Sequence, residues 1–116
     1  MVHFLKIWPP YFQDVVSGIK TFEVRYNDRP YKVGDILWLQ EYNPEKKEYT
    51  GNFVIAKVTY LLDEPAFVKD GFVILGIKKE EAAIHFSNYG IEIHINGHIE
   101  LVPPDEVPEN WSILCQ

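Results

Sequence analysis

Cysteine is almost missing from this chain: Cys115 stands alone in 116 residues. That scarcity excludes an intrachain disulfide and a zinc site built from four thiolates. No apolar run approaches the roughly 18 residues needed to cross a bilayer, and no basic segment followed by an apolar one opens the sequence. A soluble, cytoplasmic protein with no membrane partner is therefore predicted. Glycine-rich phosphate loops are also lacking, since Gly34 and Gly51 each stand alone among turn residues. Basic residues are outnumbered, 11 Lys and Arg against 17 Asp and Glu, for a formal net charge of -6. Such a balance argues against an indiscriminate grip on a phosphate backbone, because that affinity comes from Lys and Arg displacing counterions.

What is present is an ordinary globular composition, 47% hydrophobic, with a high aromatic share of 15%. Charge is unevenly spread. Up to residue 40, five basic residues (Lys6, Lys20, Arg25, Arg29, Lys32) face four acidic ones, whereas the remaining 76 residues hold six basic and thirteen acidic. An anionic ligand is expected to approach the N-terminal part. Four of those basic residues fall within Ser17 to Asp35, SGIKTFEVRYNDRPYKVGD.

Periodicity supplies the elements. His3 to Trp8 reads as a strand, and Pro9-Pro10 ends it and starts a helix whose stripe is Tyr11, Phe12, Val15, Val16 and Ile19, closed by Gly18. Thr21 to Asn27 alternates strictly, with Phe22, Val24 and Tyr26 expected inward and Glu23 and Arg25 outward. Strands follow at Ile36 to Tyr42, Phe53 to Leu62 and Phe72 to Lys78, separated by polar turns. The rhythm lacks βαβ units, so the fold class predicted is α+β, a small, mostly antiparallel barrel with one N-terminal helix. Residues 1–78 form the barrel domain in this reading, and residues 79–116 a C-terminal extension packed on it.

That extension begins with a short helix expected around Glu80 to Phe86 and continues as IEIHINGHIELV, a β-hairpin signal with Asn96-Gly97 at its tip. A three-residue loop, Asn96 to His98, would pair Ile95 with Ile99 and Ile93 with Leu101 and make one face uniformly apolar. That register is the one predicted, its face covered by the barrel or by a second chain in a weak homodimer. The acidic, proline-rich VPPDEVPENW is expected to lie extended on the surface.

Gly18, Lys20, Glu23 and Arg25 stand in the spacing GxKxxExR. Here the sequence resembles the ASCH domain family, a PUA-like branch with RNA-binding members in bacteria and phages. The resemblance covers residues 3 to 77 and includes LKIWPPYFQDVVSGIKTFEVRYNDRPYKVGDILWLQEY, YTG, VTYLL and GFVILGI. It implies a PUA-like barrel that binds RNA or a nucleotide.

The side-chain chemistry agrees with that implication. Glu23 and Arg25, two apart on a strand, leave the same face, and Lys20 lies just before them. Such a wall could hold an anion on Lys20 or Arg25 while Glu23 accepts from a base amine. Trp8, Tyr26, Tyr31, Trp38 and Tyr42 are candidate stacking surfaces, and Arg29, in a turn, is a further candidate contact. The plainer alternative is a cross-strand ion-pair cluster of small energetic value. Some PUA-like relatives are small amidohydrolases acting on acetylcytidine, using a lysine, a threonine three residues on and a distant glutamate, and another ASCH class is implicated in RNA cleavage. Lys20 matches that lysine, Glu23 replaces the threonine, and Glu41 is the nearest match to the glutamate, so Lys20 and Glu23 are the catalytic candidates if the protein is an enzyme. A third reading makes the C-terminal extension a docking element for a protein partner. His94 and His98 read as solvated hairpin residues rather than metal ligands, and no cofactor is predicted.

Overall fold

An extended Trp8 followed by Pro9 and Pro10 commits the chain to a helix start, because proline at the first helical positions sacrifices no hydrogen bond. In the computed structural model, which describes residues 1–108, that helix, α1 (Pro9–Val16), buries Phe12 and Val15. It ends earlier than its apolar stripe suggests. Gly18 adopts a positive φ of 82°, and Ile19 lies beyond the helix, 78% exposed.

Among the described residues there are eight strands: β1 (Val2–Ile7), β2 (Phe22–Tyr26), β3 (Ile36–Asn43), β4 (Glu48–Leu62), β5 (Phe72–Lys79), β6 (Ala83–Ser87), β7 (Gly90–Ile95) and β8 (His98–Val102). They do not make the single, mostly antiparallel PUA-like barrel with a hairpin appendage that the sequence predicted. The chain is mostly β, with a curled five-stranded sheet ordered β1-β3-β4-β5-β2 and a separate three-stranded sheet ordered β6-β7-β8. Strands β1 and β2 are the two outer strands of the larger sheet and do not pair with each other, so the curl leaves a seam. β1 runs parallel to β3, with Val2 opposite Ile36 and Ile7 opposite Glu41.

Two cores share β3. Leu37 and Leu39 face the helix with Leu5, Ile7, Phe12, Val15, Val58, Val73 and Leu75, whereas Ile36 and Trp38 face the other way, onto Ile91, Ile93, Ile95 and Val102. Every residue from Ile36 to Glu41 is consequently buried, which explains a near-continuous apolar run in place of alternation.

The C-terminal part departs from expectation twice. Where a helix was predicted, Ile84 and Phe86 alternate with Ala83 and His85 in β6, and Ile84 pairs opposite Ile93. The β7–β8 loop has two residues rather than three: Ile95 pairs with His98, Ile93 with Glu100 and His94 with Ile99. Asn96 and Gly97 both take positive φ, 49° and 78°, the conformation that a tight Asn-Gly turn requires and that suits the strand twist. Turn chemistry thus prevails over face uniformity, and Ile99 and Leu101 are left 54% and 57% exposed while Ile91 and Ile93 are fully buried. The tail segment is not wholly extended either, since Pro104–Glu106 form a 3-10 turn and Val107 packs against the second core. Glu109 to Trp111 and Cys115 lie outside the described residues.

This register has a measurable signature. Ile93→Ala should cost about 2–5 kcal/mol in urea unfolding, whereas Ile99→Ala should stay within about 0.5 kcal/mol of the parent. Equal losses at the two positions would restore the three-residue register.

Candidate functional site

Strand β2 carries its charges inward. Glu23 pairs opposite Leu75 and Arg25 opposite Val73, both core residues with no exposed surface, and paired residues share a face. Glu23 is only 4% exposed, while Phe22, Val24 and Tyr26 are 48%, 50% and 67% exposed. The orientation read from alternation is therefore reversed. Strand β5 imposes the reversal, because its own alternation of Val73, Leu75 and Ile77 owns the core side.

A carboxylate taken out of water is tolerable only if it is paired, and Glu23 has two partners. One oxygen accepts from Lys20 Nζ, which also donates to the Phe22 carbonyl at 2.6 Å. The other accepts from Arg25, at 2.9 Å from Nε and 2.7 Å from Nη2. Arg25 then reaches across the seam, donating from Nη2 to the Lys6 carbonyl at 2.8 Å. The two outer strands are thus joined by a side chain where a closed barrel would have a backbone ladder.

Two cavities lie along the seam, and Lys6 and Arg25 line both. The first, about 340 Å³, is walled by Phe4, Lys6, Tyr26, Arg29, Tyr31 and Tyr49 among others. The second, about 350 Å³, is walled by Lys6, Trp8, Tyr11, Lys20, Phe22 and Glu23 among others. Both are at the small end of ligand-binding cavities. Cations and rings are interleaved here: Lys6 Nζ lies 4.3 Å from the Tyr42 ring centroid and 5.7 Å from that of Tyr49, and the Arg29 guanidinium lies 5.9 Å from the Tyr31 ring. Trp8 and Tyr11 form a near-parallel pair, 6.4 Å between centroids and 27° between planes.

The structure distributes the sequence-derived candidates unequally. Lys20, Glu23 and Arg25 meet in one ion-paired cluster. Arg29 and Tyr31 wall the first cavity and Trp8 the second, while Tyr42 sits beside the first, against Tyr49. Trp38 is not a stacking surface: it has no exposed area and is held between Phe4 and Phe53. Glu23 has both oxygens engaged, which leaves little of it to read a base. Glu41 is buried, and its Oε1 accepts from Thr50 and Asn52 at 2.7 and 3.1 Å. His94 and His98 do not converge, each hydrogen-bonding a glutamate on its own strand, Glu92 and Glu100. Lys6, Tyr11 and Tyr49 were missed, although the alternation of Lys6 with the buried Leu5 and Ile7 marks its side chain as lying off the core face.

A second polar cluster, also missed, braces this region from behind. His3, 2% exposed, bonds Asp35 at 2.7 Å and packs its ring 4.7 Å from that of Tyr31. Burial pushes the Asp35 carboxyl up, but hydrogen bonds from His3, the Lys32 backbone N–H and the N-terminal ammonium outweigh it and hold the group below its ordinary value of 3.8. Burial acts the other way on Tyr31, raising its phenol above 10.0 despite the opposing charges of Arg29 and Arg25. A carboxyl with a depressed folded-state pKa contributes stability above its ordinary value and loses it as pH falls through the folded one. Asp35→Asn should therefore lower the unfolding free energy from urea titration at pH 7 by roughly 1–3 kcal/mol, and the deficit should shrink as pH falls below 3.8. A deficit independent of pH would show that the ionised carboxylate contributes nothing.

Comparison with known proteins places the chain in a family. Residues 2–77 match the family model described as a domain of unknown function, DUF3850. An uncharacterized 12.9 kDa protein in the GpA 3' region of Escherichia phage P2 is 35% identical over 74 residues, an alignment spanning 64% of this chain and 65% of that protein, just under two thirds of its length. Among the described residues, no helix is long and apolar enough to cross a membrane. The family match begins with β1, reaches into β5 and takes in both sides of the seam, and on that extent the chain belongs to the DUF3850 family.

Proposed function

We propose that the seam binds single-stranded RNA or a nucleotide, with Lys6, Lys20, Arg25 and Arg29 facing phosphate and Trp8, Tyr11, Tyr26 and Tyr49 offering surfaces to bases. One observation carries this reading: Lys6 of β1 and Lys20, Arg25 and Arg29 from the stretch around β2 line the two cavities of the seam, outnumbering Glu23 and Asp28 there, in a chain of net charge -6. Aromatic side chains between those cations supply what unstacked bases require. The resemblance of GxKxxExR to the ASCH family supports the same conclusion. Glu23 acts in this reading as a positioning residue that holds Lys20 and Arg25 in place. Lys20, already donating to Glu23 and to the Phe22 carbonyl, is better disposed to hold an anion than to remove a proton.

Lys6 and Arg29 provide the cleanest test, because neither contributes to the ion-paired cluster around Glu23. In fluorescence anisotropy with a labelled single-stranded RNA octamer, Lys6→Ala and Arg29→Ala should each weaken binding, and each should reduce the slope of log K against log salt by about 0.7, the share of one phosphate contact on a single strand. Lys57→Ala, on the far side of β4, should change neither quantity. Wild-type protein that fails to bind the octamer, or variants with unaltered affinity and slope, would overturn the proposal.

A further inference from the structure

We infer that the unit recognised at the seam is a dinucleotide step, with one nucleotide in each cavity and their bridging phosphate on Arg25. The inference rests on the nucleotide-binding reading and specifies its ligand. Each cavity, at 340 and 350 Å³, lies near the lower limit for a small-molecule site and suits one nucleoside rather than two. Arg25 lines both. Bonds from its Nε and Nη2 to Glu23 and the Lys6 carbonyl hold the guanidinium in place on the wall that the two cavities share. The charge there suits a bridging anion, since Glu23 offsets one of the two cations it binds and the Lys20, Glu23, Arg25 cluster keeps a formal charge of +1.

The two cavities differ in how they would take a base. In the second, Trp8 and Tyr11 are 54% and 49% exposed, their ring centroids 6.4 Å apart and their planes at 27°. A base would stack on the exposed face of one of these rings. In the first cavity, Arg29 rests near Tyr31 and Lys6 near Tyr49, so a nucleotide would meet rings flanked by cations and contribute its outer phosphate to them. Connecting the two sites through one phosphodiester makes the second binding event intramolecular, and affinity should rise sharply at two nucleotides.

Calorimetric titration of the full chain with uridine and adenosine 5′-monophosphates, the 5′-phosphorylated dinucleotides pUpU and pApA, the corresponding 5′-phosphorylated trinucleotides, and a 5′-phosphorylated dinucleotide carrying a neutral methylphosphonate link tests this. A dinucleotide should bind at least about tenfold more tightly than a mononucleotide, and a third nucleotide should add less than about threefold. The neutral link should abolish most of the gain. Trp8→Ala and Arg29→Ala, one in each cavity, should each return the dinucleotide to mononucleotide affinity, with melting curves confirming the fold. Mononucleotides that bind as tightly as dinucleotides, or affinity that climbs evenly with length, would overturn the dinucleotide inference while leaving nucleotide binding in place. Failure of every nucleotide and of the RNA octamer to bind would remove both.

Discussion

A buried carboxylate must be matched by cations or it destabilises the fold that buries it, and Glu23 is the residue on which this constraint falls. Its two oxygens bind Lys20 and Arg25. Pairing with β5 turns the polar face of β2 toward the interior and sets Phe22, Val24 and Tyr26 outside, and the two cations make that orientation tolerable. It also aims Arg25 at the Lys6 carbonyl, so the final gap in the curled sheet is bridged by a guanidinium. A closed backbone ladder there would have left no cavities and no donors facing them. The incomplete barrel and the candidate site are one structural fact.

The second sheet matters through β3. With both faces of Ile36 to Glu41 buried, this strand is a wall common to two cores and has little freedom to shift. Strand β1 lies against it in parallel register and carries Lys6, so the position of one groove wall is set by packing on the opposite side of the molecule. The His3, Asp35 and Tyr31 cluster adds a polar brace between β1 and the segment that leads into β3.

Much of this was legible where a single physical preference governs. Proline followed by an apolar stripe located α1, the β-branched and aromatic runs located β3, β4 and β5, and the spacing of Lys20, Glu23 and Arg25 located the ion-paired cluster. Reading failed where two preferences compete. Alternation in β2 has two solutions that differ only in which face meets the core, and a partner strand far along the chain decides between them. At Asn96-Gly97, turn conformation and apolar pairing pointed to different registers, and the local backbone preference won. Ala83 to Ser87 is too short for periodicity alone to separate strand from helix, and Ile93 on β7 supplies the missing contact. Nothing near Lys6 announces that Arg25 will reach its carbonyl, since the two are 19 positions apart.

The parallel pairing of β1 with β3 also bears on the order in which the chain can assemble. β3 and β4 are sequence neighbours that form an antiparallel hairpin, a local contact that closes quickly. β1 has no such neighbour: Val2 waits for Ile36, and pairings between distant residues form slowly because the intervening loop must be ordered first. β2 waits longer still, since Phe22 pairs with Gly76. Both walls of the groove therefore rest on distant pairings, and the cleft takes shape only after the β3–β4 hairpin that stands between them.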